Sequence, residues 1–137
     1  PRLRNDGIYG RALSKFIHQA VNNLNITVYG DGTQTRSFTY VTDTIIGVFK
    51  TLLSEKHKGE IFNIGNPNET NILDLVHQIL SITKSKSKIT FLPLPEDDPK
   101  RRNPDISKAH KLLNWEPNID LDTGLNFTIS WLKEQIL

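Results

Sequence analysis

The apolar residues of this chain recur at two spacings, and the spacing changes from stretch to stretch. Leu13, Phe16, Ile17, Ala20, Val21 and Leu24 return every three or four positions, which predicts an amphipathic helix over about 11–24. Ile26-Thr27-Val28-Tyr29 is a β-branched run that reads as a strand. Gly30-Asp31-Gly32-Thr33 closes it with a turn whose glycines can take positive φ. Ser37 to Val41 reads as the returning strand of a hairpin, and Thr42 or Asp43 suits the N-cap of a helix reaching about Leu53.

Beyond Gly59 the pattern alternates again, and Glu60 to Ile64 predicts a strand that ends in the loop Gly65-Asn66-Pro67-Asn68. Thr70 or Asn71 caps a helix whose apolar stripe is Ile72, Leu75, Val76, Ile79 and Leu80. A Lys/Ser stretch leads to a strand from Ile89 to Leu92. Pro93, Pro95, Pro99 and Pro104 rule out a regular element over 93–104. Asp105 caps a short helix bearing Ile106, Ala109, Leu112 and Leu113, and a last helix runs from about Leu121 to Gln135. Five helices and four short strands in this order predict a mixed α/β or α+β lobe, one domain over 1–137.

Composition narrows the partners. Seventeen basic against 15 acidic side chains leave a formal charge of +2, too little for a nucleic-acid binder unless the field is local. No aromatic-basic face emerges, so no nucleic-acid partner is expected. Zero cysteine excludes disulfides and thiolate chemistry and is compatible with a reducing compartment. His18, His57, His77 and His110 are scattered, so no metal site is expected. Apolar runs stay far below the ~20 residues of a membrane span. The chain has no methionine and opens on the polar segment Pro1 to Gly7, from which excision from a longer polypeptide is expected.

Two loops carry chemistry. Tyr29 to Arg36 sets an arginine just past a glycine turn, where its fork can meet a phosphate or simply stay solvated. Asp97-Asp98-Pro99-Lys100-Arg101-Arg102 mixes two carboxylates with three cations in a proline-stiffened loop. Such a pair can serve acid–base or metal chemistry, or the cluster can be self-paired at the surface. Asn63 to Asn68 can offer amides to a polar ligand or satisfy its own turns. Trp115 and Trp131 suit core packing. Neither a glycine-rich dinucleotide loop nor a Tyr-x-x-x-Lys pair occurs.

Six segments, in order, resemble the nucleotide-sugar epimerase, dehydratase and decarboxylase family of extended short-chain dehydrogenases. They are Pro1-Arg2, Val28 to Phe38, Tyr40-Val41-Thr42-Asp43, Phe62 to Asn66, Asp105 to Ala109, and Leu113 to Pro117. Within that family, Asn63 to Pro67 and Asp97 to Ile106 look most like the members that decarboxylate UDP-glucuronate. Epimerases and 4,6-dehydratases usually carry an Arg-Pro-Gly-Asp-like sequence where this chain has Leu94-Pro95-Glu96-Asp97.

The resemblance implies a UDP-sugar partner and an NAD cofactor held mainly by a catalytic domain outside this sequence. It places Arg36 on the diphosphate, Tyr29 and the Val28 backbone along the nucleoside, and Asp98 on the ribose. Arg102 falls near the sugar as the auxiliary catalytic residue, and Arg11 approaches the cofactor. The implied reaction oxidises C4 of the glucuronate, releases CO2 from the resulting β-keto acid, and returns the hydride to give UDP-xylose. A guanidinium rarely gives up a proton, which suits Arg102 to orienting the carboxylate better than to donating a proton. The chain alone is expected to be inactive, to bind NAD negligibly and to be a monomer, the parent enzyme a homodimer. Alternatives are a dTDP-glucose 4,6-dehydratase or UDP-sugar 4-epimerase, which need no carboxylate partner at Arg102, and a stand-alone nucleotide-sugar-binding module.

Overall fold

A computed structural model describes residues 12–94 and 101–136. Among the described residues the elements are α1 (Ala12–Val21), β1 (Ile26–Tyr29), β2 (Thr35–Ser37), α2 (Val41–Leu53), β3 (Glu69–Asn71), α3 (Ile72–Thr83), β4 (Ile89–Leu92), α4 (Ser107–Leu113) and α5 (Leu121–Ile136), and a 3-10 turn lies at Glu55–His57. The architecture is mixed α/β, in two compact units.

Of the described residues, the first unit comprises 12–34, 71–94 and 125–136. Its sheet is the parallel pair β1–β4, in the register Ile26↔Ile89 to Tyr29↔Leu92. Parallel strands need a crossover, and α3 supplies it. Phe16, Ile17 and Ala20 of α1, Ile26 and Val28 of β1, and Ile72, Leu75, Val76 and Ile79 of α3 are buried. Of the helical stripes read from the sequence, Leu13, Val21 and Leu80 are only half-buried, and Leu24 lies past the end of α1, 51% exposed.

The expected hairpin is not formed: β1 pairs with β4 and β2 with β3. The turn's carbonyls are engaged elsewhere. Gly32 O accepts from Leu73 N and Gln34 O from Ile72 N, each at 3.1 Å, so the turn satisfies orphan amides at the start of α3. Gly32, at φ +79°, also lies so close to α3 that a Cβ would meet Leu73 Cβ at 3.1 Å.

The second unit comprises residues 35–70 and 101–124. Its core is Ala109, Leu113 and Trp115, with Phe62, Ile64 and Ile106 packed against them. Residues 60–64 keep the alternation of a strand, with Phe62 and Ile64 inward and Ile61 84% exposed, but have no ladder partner among the described residues. The predicted strand at 37–41 is displaced to 35–37, because β3 offers only three residues before α3 begins. The helix α2 therefore starts at Val41, after Tyr40 in extended conformation with no side-chain cap.

Asp43 is not a cap either. It is 2% exposed, and its Oδ2 accepts from the backbone amides of Asn118 at 3.1 Å and Ile119 at 2.9 Å. Its carbonyl accepts the Trp115 indole N–H at 3.0 Å. Trp115 is thus the core residue the sequence suggests, whereas Trp131 is only half-buried. The other side of α2 sends Ile45, Phe49, Leu52 and Leu53 to the surface.

Candidate functional site

Strand β2 carries Arg36 between Thr35 and Ser37. The Arg36 Nη1 donates to the Thr35 carbonyl at 2.7 Å, which folds the guanidinium back along its own strand. Ser37 Oγ donates to the carbonyl of Arg102 at 3.5 Å, a contact between residues 65 apart in the chain. Two arginines from distant stretches thereby belong to one neighbourhood of the second unit.

The loop bearing Arg102 is held from both sides. Pro104 seats on Gly65, where a Cβ would stand 2.7 Å from the proline Cγ. Asn63 Nδ2 donates to the Asp105 carbonyl at 3.0 Å, and Asn66 Oδ1 accepts the Asn68 amide at 2.9 Å. These asparagines satisfy loop backbone, the second of the two roles their sequence allows. Asp105 Oδ1 accepts from Ser107 N at 2.9 Å, starting α4, and bonds to the Ser107 hydroxyl and amide hold its carboxyl below the ordinary range.

At the centre is Glu69 of β3, which the sequence did not mark. Its Oε1 accepts from Thr35 Oγ1 at 2.6 Å, and its Oε2 from Arg101 Nε at 2.7 Å and Asn103 Nδ2 at 3.0 Å. Arg101 Nη2 adds an ion-pair contact to Oε2 at 2.5 Å. The bonds from Arg101 first, then Thr35 and Asn103, bring the Glu69 pKa down to about 2, and the bond to Glu69 and its charge raise that of Arg101. One signal was available: the run Lys100-Arg101-Arg102 calls for an anion, and Glu69 is the single acid between Glu60 and Asp74. Pro67, Arg101, Asn103, Pro104 and Asp105 line an open depression of about 470 Å³.

The other expected site residues are distributed differently. Val28 and Tyr29 lie in the first unit, and Arg36 and Arg102 in the second. The Val28 side chain is fully buried, so only its backbone remains for a ligand. Lys15 Nζ stands 5.2 Å from the centroid of the Tyr29 ring, and the Tyr29 carbonyl accepts from Gln34 Nε2 at 2.8 Å. Arg11 and Asp98 lie outside the described residues. Among the described residues no group of three His, Cys, Asp or Glu side chains is placed to hold a metal ion, and no helix is long and apolar enough to cross a membrane.

Residues 2–128 match the family described as GDP-mannose 4,6 dehydratase. The chain is 45% identical over 127 residues to UDP-glucuronic acid decarboxylase 1 of Danio rerio, covering 93% of this chain and 30% of that protein. It is 36% identical to UDP-N-acetyl-alpha-D-glucosaminuronate decarboxylase of Bacillus cytotoxicus, over 98% of this chain and 43% of that one. In structure it superposes with a TM-score of 0.89 on UDP-glucuronic acid 4-epimerase from Bacillus cereus in complex with UDP-glucuronic acid and NAD. That likeness is 35% in sequence and covers 98% of this chain and 42% of the epimerase. The chain thus spans less than half the length of each.

Proposed function

From the premise that the chain belongs to the GDP-mannose 4,6-dehydratase family, we propose that it is the part of a UDP-glucuronate decarboxylase that binds the anionic groups of the nucleotide sugar. One observation carries this reading: Ser37, next to Arg36, contacts the Arg102 backbone, so two guanidiniums are borne on one neighbourhood of the second unit. A UDP-uronate offers two kinds of anion, a diphosphate and a carboxylate. Guanidinium forks suit both, because each pairs two N–H donors with two oxygens. Arg36 is assigned to the diphosphate and Arg102 to the carboxylate, with Tyr29 and the Val28 backbone along the nucleoside and Asp98 at the ribose.

The role of Arg102 is orientation and charge. Loss of CO2 needs the bond to the carboxylate carbon aligned with a neighbouring carbonyl that takes up the electron pair. A guanidinium that holds the carboxylate can set that alignment and does not have to give up a proton. NAD enters the reading through the family. The described residues do not fit it: among them the glycine turn at Gly30–Gly32 leads from β1 toward β2, not from a strand into a helix that could cradle a pyrophosphate. No step here runs through the cofactor, and Arg11 is the residue of this chain assigned to it.

The experiment is to supply the full-length protein with UDP-glucuronate and NAD and to follow the product mass. A product lighter by CO2 is expected. Conversion to a chromatographically separate product of unchanged mass would make the protein a 4-epimerase. Loss of water from dTDP-glucose, with UDP-glucuronate untouched, would make it a 4,6-dehydratase.

A further inference from the structure

We infer that Glu69 is the positioning residue of this site: its carboxylate ties the strand that carries Arg36 to the loop that carries Arg102, and so sets the spacing of the two guanidiniums along a ligand that spans both. The inference rests on the reading above, in which both arginines are ligand contacts.

The geometry is that of a clamp. Glu69 Oε1 takes Thr35, the residue before Arg36, and Oε2 takes Arg101 and Asn103, the residues on either side of Arg102. Three chain stretches meet at one carboxylate, with Thr35 lying 34 residues from Glu69 and Arg101 lying 32. The Glu69 side chain is only 14% exposed while that of Arg101 is 72% exposed, so the carboxylate is the enclosed partner and the loop closes over it.

A carboxylate is needed because it only accepts. Its two oxygens offer about four lone-pair sites, and here both oxygens are occupied by side-chain donors. An amide at this position would either aim its NH2 at Arg101 and Asn103, setting donor against donor, or turn it to Thr35, whose hydroxyl can accept it, and leave an uncharged oxygen to hold the Arg101 guanidinium. The charge also strengthens each bond, charge-assisted bonds being roughly twice as strong as neutral ones.

The plainer alternative is that Glu69 only neutralises Arg101 and keeps the loop folded. The two roles differ in what they do to different ligands. A folding role weakens all ligands together. A positioning role penalises the ligand that spans both arginines, and its penalty disappears once one of them is gone.

The test uses the full-length protein as wild type, Glu69→Gln, Arg102→Ala and the double variant, with kcat and KM for CO2 release and calorimetric binding of UDP and UDP-glucuronate. Glu69→Gln is expected to lower kcat on UDP-glucuronate by up to ~100-fold, the scale of a misplaced reacting group. Its UDP affinity should stay within about twofold of wild type, and in the Arg102→Ala background the same change should cost no more than about twofold, the non-additivity of two residues that act through one another. Equal weakening of UDP and UDP-glucuronate, or an equal kcat penalty in both backgrounds, overturns the inference. Thr35→Val, which removes a single donor and keeps the side-chain shape, tests the same coupling if Glu69→Gln does not fold; a penalty that persists without Arg102 overturns it likewise. A wild type that neither binds UDP-glucuronate nor releases CO2 removes the functional reading and this inference with it. A working wild type with an unaffected Glu69→Gln removes the inference alone.

Discussion

Gly47 occupies the middle of α2, where an alanine would ordinarily be favoured by ~1 kcal/mol. Here a Cβ would stand 2.5 Å from Ile64 Cγ2 and 3.0 Å from Trp115 Cε2. Gly47→Ala is therefore expected to destabilise the chain by about 1–3 kcal/mol, the usual cost of overpacking a core. The urea midpoint checks it, and a midpoint that rises, as helix propensity alone would have it, would contradict the packing. Nothing local in the sequence marks this glycine, because its constraint comes from Ile64 and from Trp115. Asp43 and Glu69 escaped the sequence for the same reason. Asp43 looked like a cap because caps are local, yet its partners are the amides of residues 118 and 119. What the sequence did supply at this scale was Arg36 and Arg102 as carriers of charge, though not the acid that organises their loop and strand.

The helices were read correctly where their causes lie within a dozen residues. In α3, Asn71 Oδ1 accepts the Asp74 amide at 2.7 Å, its Nδ2 returns a bond to Asp74 Oδ2, and the stripe from Ile72 to Ile79 is buried. Asn71→Ala should cost about 1 kcal/mol, as N-cap truncations do. That would appear as a fall in Tm of about 3–6 °C; no change would mean that the carbonyls of Gly32 and Gln34 hold this helix start unaided. Strands β1 and β4 stand at the bounds read from the sequence, but the other two predicted strands were read less well, since a strand exists only with a partner. The turn after β1 has hairpin residues, but its carbonyls serve α3, and residues 60–64 alternate as a strand does without a ladder among the described residues. For α2 the helical period was plain, but both sides are apolar, so the pattern could not say which side is inward.

At the scale of the molecule, the groups of the described residues whose ionisation is perturbed nearly all shift toward acid strength. Glu69 falls to about 2 through its bonds from Arg101, Thr35 and Asn103. Glu60 is lowered by its bond and charge contact with Lys108, Asp105 by Ser107, and Asp120 by the amide and hydroxyl of Thr123. A carboxyl whose folded pKa is depressed binds fewer protons in the native than in the unfolded state between the two values, so stability rises with pH across that interval. For Glu69 the interval runs from about 2 up to its ordinary 4.5: the contribution is complete above 4.5 and is lost as the pH falls toward 2. The four carboxylates act together, and the chain should therefore unfold more readily in acid than its net charge of +2 at neutral pH suggests. The urea midpoint is expected to hold steady between pH 5 and 7 and to drop steeply below 4.5. Glu69→Gln should lower the midpoint at pH 6 and flatten the acid limb, because the replaced group no longer takes up a proton on unfolding. A variant with a lower midpoint at pH 6 and an unchanged acid limb would mean that Glu69 stabilises the loop without being held ionised by Arg101, Thr35 and Asn103.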